Sequence, residues 1–280
     1  MAIITFWSGL RRSNGQTLST VATATQMAVE HNLRCLLING SFDDDSMERC
    51  FWSAKQKAAA SSFLETKGKL DIGSGAEGLV SAVASNKTTP EIISNFTKVV
   101  FKDRLDVLPG LKTKIFADFE KSMMLYKDLI NAANKYYDVV FVDLPKGLDR
   151  DFIKAILDMS SLIVYTLPQN LAIIDNYMED VKKYDVLKKG NLMPLVTNAF
   201  EASKYNAFNI RKYIGYKQAI GFIPVNVAFM EAASEAGVSN LFIKARLSTN
   251  KTDPNVMFVK SVDDFCKKLI QKLQDLKYTV

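Results

Sequence analysis

The residues with the most chemistry to offer lie in one short loop, Ser8-Gly9-Leu10-Arg11-Arg12-Ser13-Asn14-Gly15-Gln16-Thr17, between the apolar run 2–7 and a helical stretch from residue 16. Backbone N–H groups in such a loop, and the helix N-terminus that follows, converge on one place and suit a bound anion. Arg11 and Arg12 add positive charge, Asn14 tolerates left-handed backbone, and Thr17 brings a hydroxyl to the first helical turn. The loop holds no lysine, and its only glycines are Gly9 and Gly15. A second candidate is Asp143 in Tyr137-Asp138-Val139-Val140-Phe141-Val142-Asp143-Leu144-Pro145-Lys146-Gly147. Four apolar residues bury a strand there, and its terminal aspartate faces the crevice where parallel α/β sheets take ligands. The single histidine, His31, excludes histidine triads, and Cys35, Cys50 and Cys266 lack metal-ligand spacing and read as reduced, buried thiols.

These residues need a frame. Short apolar runs at 2–7, 34–39, 105–108, 138–143, 161–166, 192–198 and 219–223 alternate with helical patterns at 16–31, 76–85, 90–98, 117–135, 149–158, 170–183, 205–214 and 228–236. That alternation predicts βαβ units, hence a doubly wound α/β fold whose mostly parallel sheet is flanked by helices on both faces. With 280 residues, 48% of them hydrophobic, and no Pro/Gly/Ser-rich linker, residues 1–280 read as one domain. It closes on an amphipathic helix at 258–277, whose lysines 260, 267, 268, 272 and 277 lie off the apolar stripe. This helix either packs on the domain or lies on a membrane surface, and its aspartates favour packing.

No run reaches the roughly 18 apolar residues of a membrane span, and no secretion signal precedes the first strand. The net charge of +6 is concentrated in one region: 182–217 holds eight basic residues against two acidic ones. Such a region attracts DNA or an anionic surface, or is an ordinary solvated face.

In order along the chain, these elements resemble the MinD/ParA group of P-loop ATPases, which position macromolecular machinery in bacteria. The family loop reads Lys-Gly-Gly-x-Gly-Lys-Thr. Aligned on Gly15 and Thr17, Arg11 takes the place of the family's signature lysine, Arg12 and Ser13 replace glycines, and Gln16 replaces the phosphate-binding lysine. Asp143 resembles the Walker B aspartate. Leu108-Pro109-Gly110, Val196-Thr197-Asn198 and Gly221-Phe222-Ile223-Pro224-Val225-Asn226 resemble later family elements. The family's Asp-x-Asp after the second strand is Asn39 and Ser41 here. Asp43, Asp44 and Asp45 follow, either as partial compensation or as helix-cap residues.

The resemblance implies an ATP site formed by Arg11, Arg12, Ser13, Asn14, Gly15, Gln16, Thr17 and Leu18, with Asn198 and Pro224 beside the base. It implies Mg²⁺ on Thr17 and Asp143. The substitutions at 16, 39 and 41 imply weak or absent hydrolysis. Within the family, TadZ/CpaE-like pilus-assembly proteins resemble this pattern. They imply a cytoplasmic homodimer that places protein partners at a pole or, through those partners, at a membrane. An active ParA-like partition ATPase binding DNA through 182–217 is the alternative.

Overall fold

The computed structural model describes residues 1–9, 15–42, 44–53, 76, 78–80, 90–111, 113–144 and 147–278. The strands are β1 (Ala2–Trp7), β2 (Cys35–Asn39), β3 (Lys98–Phe101), β4 (Leu105–Leu108), β5 (Val139–Asp143), β6 (Leu162–Pro168), β7 (Leu192–Ala199) and β8 (Gly221–Pro224). They form one eight-stranded sheet in the order β3-β4-β2-β5-β1-β6-β7-β8. Every neighbouring pair is parallel except β3–β4, as the near-continuous apolar strands predict.

Alternate residues of β1 feed two cores. Ile3 and Trp7 pack with α3 (Phe116–Met123), α4 (Tyr126–Ala133), α5 (Arg150–Met159) and α6 (Leu171–Lys183). Ile4 and Phe6 pack with α1 (Gln16–Glu30), α8 (Val227–Ser234), α9 (Val238–Leu247) and α10 (Pro254–Asp275). Two further α-helices among the described residues are the single turn α2 (Ser46–Arg49) and α7 (Ala207–Tyr213).

α10 begins where its sequence directs, with Asp253 accepting from Asn255 N and Val256 N and a proline in the first turn. Its apolar stripe is buried, and the Phe265 ring lies where a Cβ on Gly221 would come within 2.4 Å. That stripe covers α1 and β8, which is the packing alternative.

Four details depart from expectation. The helix expected at 90–98 is a 3-10 turn, Pro90–Asn95, followed by the edge strand β3, whose Lys98 and Val99 are exposed. The helix expected at 117–135 is two helices with a turn at 124–125. α2 and α9 lie in segments without a helical expectation. Lys272 is buried at 8% exposure instead of solvated. Of the helix expected at 76–85, residues 76 and 78–80 are helical and the rest lie outside the described residues.

Candidate functional site

The site forms where the carboxyl ends of β1, β2 and β5 meet the first turn of α1. Asp143 ends β5, in register with Phe6 on one side and Asn39 on the other, and is 1% exposed. A carboxylate this deep requires donors. Gln16 Nε2 donates to Asp143 Oδ1 at 2.6 Å and to the Leu144 carbonyl at 2.9 Å, and Thr17 Oγ1 donates to Asp143 Oδ2 at 2.6 Å. The Gln16 amide therefore lies down against the end of β5.

Gly15 precedes α1 at φ 69°, left-handed backbone that suits glycine, and α1 has no side-chain cap and no acid in its first turn. Its N-terminal dipole thus faces the crevice without an anionic neighbour on the helix itself. Asn198, at the end of β7 with φ 48°, stands beside Gly15: a Cβ there would meet Asn198 Nδ2 at 2.8 Å. Pro224 pairs with Ala199 on the adjacent strand end. Leu18 turns toward the core beneath α1, so what it can offer a ligand is backbone. Arg11, Arg12, Ser13, Asn14 and Asp43 lie outside the described residues.

The loop leaves β1 under a restraint that no sequence motif announces. Tyr165 Oη accepts from Gly9 N at 3.0 Å and donates to Asp180 Oδ2 at 2.6 Å. Burial, then the bond to Asp180, pushes the Tyr165 phenol up, so it keeps its proton and donates. A Cβ on Gly9 would strike Asp180 Oδ2 at 2.0 Å, which makes glycine the residue that fits there.

The second-strand corner is a closed lock. Asn39 Nδ2 donates to Glu48 Oε2 at 3.0 Å and to the Asp44 carbonyl at 2.8 Å, while its Oδ1 accepts from Ser41 N at 2.9 Å. Glu48, 5% exposed, also accepts from Gly110 N at 2.8 Å. A Cβ on Gly110 would come within 3.0 Å of the Asn39 amide, giving the Leu-Pro-Gly turn its physical reason. Asp44 Oδ1 accepts from Ser46 N, and Asp45 pairs with Arg49, so these two acids serve the α2 turn. Glu48, Tyr165 and Asp180 are the residues that motif reading does not find.

A hydroxyl oxygen against a carboxylate is a donor set that suits a hard divalent cation, so Thr17 and Asp143 fit Mg²⁺. Among the described residues no three carboxylate, thiol or imidazole groups converge as a metal cluster. None of the described helices is long and apolar enough to cross a membrane.

Comparison with solved structures places the fold. A ParA family ATPase from Chlorobium tepidum matches over 95% of this chain and 98% of its own, with TM-score 0.70 and 16% identity. MinD from Pyrococcus horikoshii, complexed with Mg-ADP, matches over 97% and 98%, with TM-score 0.65 and 16% identity. A putative plasmid partition protein from Borrelia burgdorferi, bound to AMPPNP, matches over 97% and 98%, with TM-score 0.59 and 16% identity. No protein-family model and no curated protein matches the sequence. The fold is that of the MinD/ParA P-loop NTPases.

Proposed function

We propose that this chain is a nucleotide-binding positioning factor on the MinD/ParA fold, acting as a dimeric scaffold whose ATP turnover is weak or lost. The observation that carries this reading is the placement of Gln16. Where the family has a phosphate-binding lysine, this chain has a neutral amide tied to Asp143 and the Leu144 carbonyl. A full positive charge on the β- and γ-phosphates is therefore missing from that position.

In this reading the loop backbone and the α1 N-terminus hold the phosphates, and Thr17 and Asp143 hold Mg²⁺, with Asn198 and Pro224 on the base side. The metal would neutralise phosphate charge. The chain's own residues orient the nucleotide, and the position in register with Asp143, which could offer a second carboxylate to place an attacking water, is Asn39, an amide committed to Glu48. The narrower assignment, a TadZ/CpaE-like organiser of pilus assembly, rests on Gly110 and on the Ile223–Asn226 element. Asn226 caps α8 by accepting from Phe229 N.

The test pairs equilibrium binding of a fluorescent ATP analogue with phosphate release. Binding is expected to require Mg²⁺, with phosphate release no faster than that of Asp143→Ala. Steady hydrolysis abolished by Asp143→Ala overturns the reading in favour of an active ATPase. Light scattering with and without nucleotide tests the dimer. Steeply salt-dependent DNA binding lost on charge reversal in 182–217 would favour the partition alternative.

A further inference from the structure

A groove of 520 Å³ lies between α6, the turn after it, the segment leading into β8, and α10. It opens where β7 begins, at Leu192. Asn198 stands six residues further along that strand, about 20 Å away, so the groove is separate from the nucleotide site. Its floor is apolar and aromatic, including Tyr177, Leu187, Leu192 and Tyr216. Tyr216 Oη is committed to the Leu192 carbonyl, so its ring presents a fixed face. Four lysines line the groove, Lys182, Lys188, Lys217 and Lys272, and no acidic residue does.

Lys272 is the informative one. It is 8% exposed, and its Nζ donates to a neutral acceptor, Gln218 Oε1, at 2.5 Å. No carboxylate lies within ion-pair distance of it among the described residues. Burial draws its pKa down, and Asp275 opposes that only through space. An ammonium carries three donors, and buried charges are ordinarily paired with an opposite charge. On the rim, Lys188 is already bonded to Asp185, while Lys182 and Lys217 are exposed and make no ion pair among the described residues.

We propose that this groove is a docking site for an acidic, amphipathic segment of a partner protein, which seats one aliphatic or aromatic side chain on the Leu187–Tyr216 floor and carboxylates on Lys272, Lys182 and Lys217. Charge complementarity selects an acidic occupant, and the apolar floor selects a peptide over a nucleic acid. Duplex DNA binds through phosphates on a protruding basic surface and gains little from a concave apolar floor. The site is independent of nucleotide chemistry, so it stands or falls separately from the function proposed above.

The probe is a fluorescent peptide in which glutamates alternate with leucine and phenylalanine, with a glutamine-for-glutamate copy and a short DNA duplex as competitors. The full chain is expected to bind the acidic peptide and not the glutamine copy, and the duplex should not displace it. Lys272→Met should weaken binding at least about tenfold, and Lys182→Glu with Lys217→Glu should abolish it. The two charge reversals sit on exposed positions, so their melting temperature should match the parent's and separate lost binding from lost folding. Absence of binding, equal binding by all variants, or displacement by the duplex overturns the proposal; displacement would assign the groove to nucleic acid.

Discussion

Two buried carboxylates stand at the carboxyl ends of neighbouring parts of the sheet, and they are held by different kinds of donor. Asp143 is gripped by a hydroxyl and a side-chain amide, both carried on the first turn of α1. Glu48 is gripped by a side-chain amide and a backbone N–H, from β2 and from the turn after β4. A hydroxyl can rotate its hydrogen away and present a lone pair, whereas an N–H can only donate. The Asp143 corner can therefore exchange its partner for a cation, and the Glu48 corner cannot. Depth of burial is nearly the same in both, so the chemistry of the donors, not accessibility, separates a carboxylate able to take a cation from one that is not.

The largest effect should come from the structural corner. Glu48→Ala strands the Asn39 amide and the Gly110 N–H in a dry site, and urea denaturation should register a loss of about 3 kcal/mol. A loss below about 1 kcal/mol would erase the distinction between the two corners.

Next is Asn39→Asp, which removes both amide donors and sets a carboxylate against Glu48. We expect a loss of about 2 kcal/mol at neutral pH. The sign with pH follows from like charge: the pair binds a proton more tightly folded than unfolded. The penalty is thus present above the raised folded value and shrinks as pH falls through it. Adding Glu48→Gln should recover much of the loss at neutral pH, and a flat pH response would contradict the assignment.

The smallest change in stability, about 1 kcal/mol, is expected for Thr17→Val, since Gln16 still donates to Asp143 Oδ1. Its sharper readout is functional, namely loss of the Mg²⁺ dependence of nucleotide binding. A variant that keeps that dependence would remove Thr17 from the metal site.

Much of this arrangement could be read from the chain. The apolar runs identified the central strands because burial on both faces leaves no polar alternation to confuse them, and Asp143 stood out as the polar residue ending such a run. The edge strand β3 was hidden because half of it meets solvent, and its first residue, Lys98, read as the end of a helix. α9 escaped because its pattern, Val238, Phe242 and Ala245 buried among Lys244 and Arg246, follows a segment already read as helix. Glu48 was illegible for a different reason. Its acceptor role depends on Gly110, 62 positions away, and local patterning carries no trace of a contact closed over that distance. Lys272 sat at a position that helical spacing assigns to solvent, and only the packing of the β8 approach against α10 reveals its burial.

The Asn39–Glu48 lock also bears on how this chain can be changed. Placing an aspartate at 39 while Glu48 remains sets charge against charge, and losing Glu48 while Asn39 remains orphans two donors. Each single step leads downhill in stability, and only the pair together leads back. Positions 39 and 48 therefore hold each other's residue type in place. A laboratory redesign that sets a carboxylate at the end of the second strand has to move both residues in the same step.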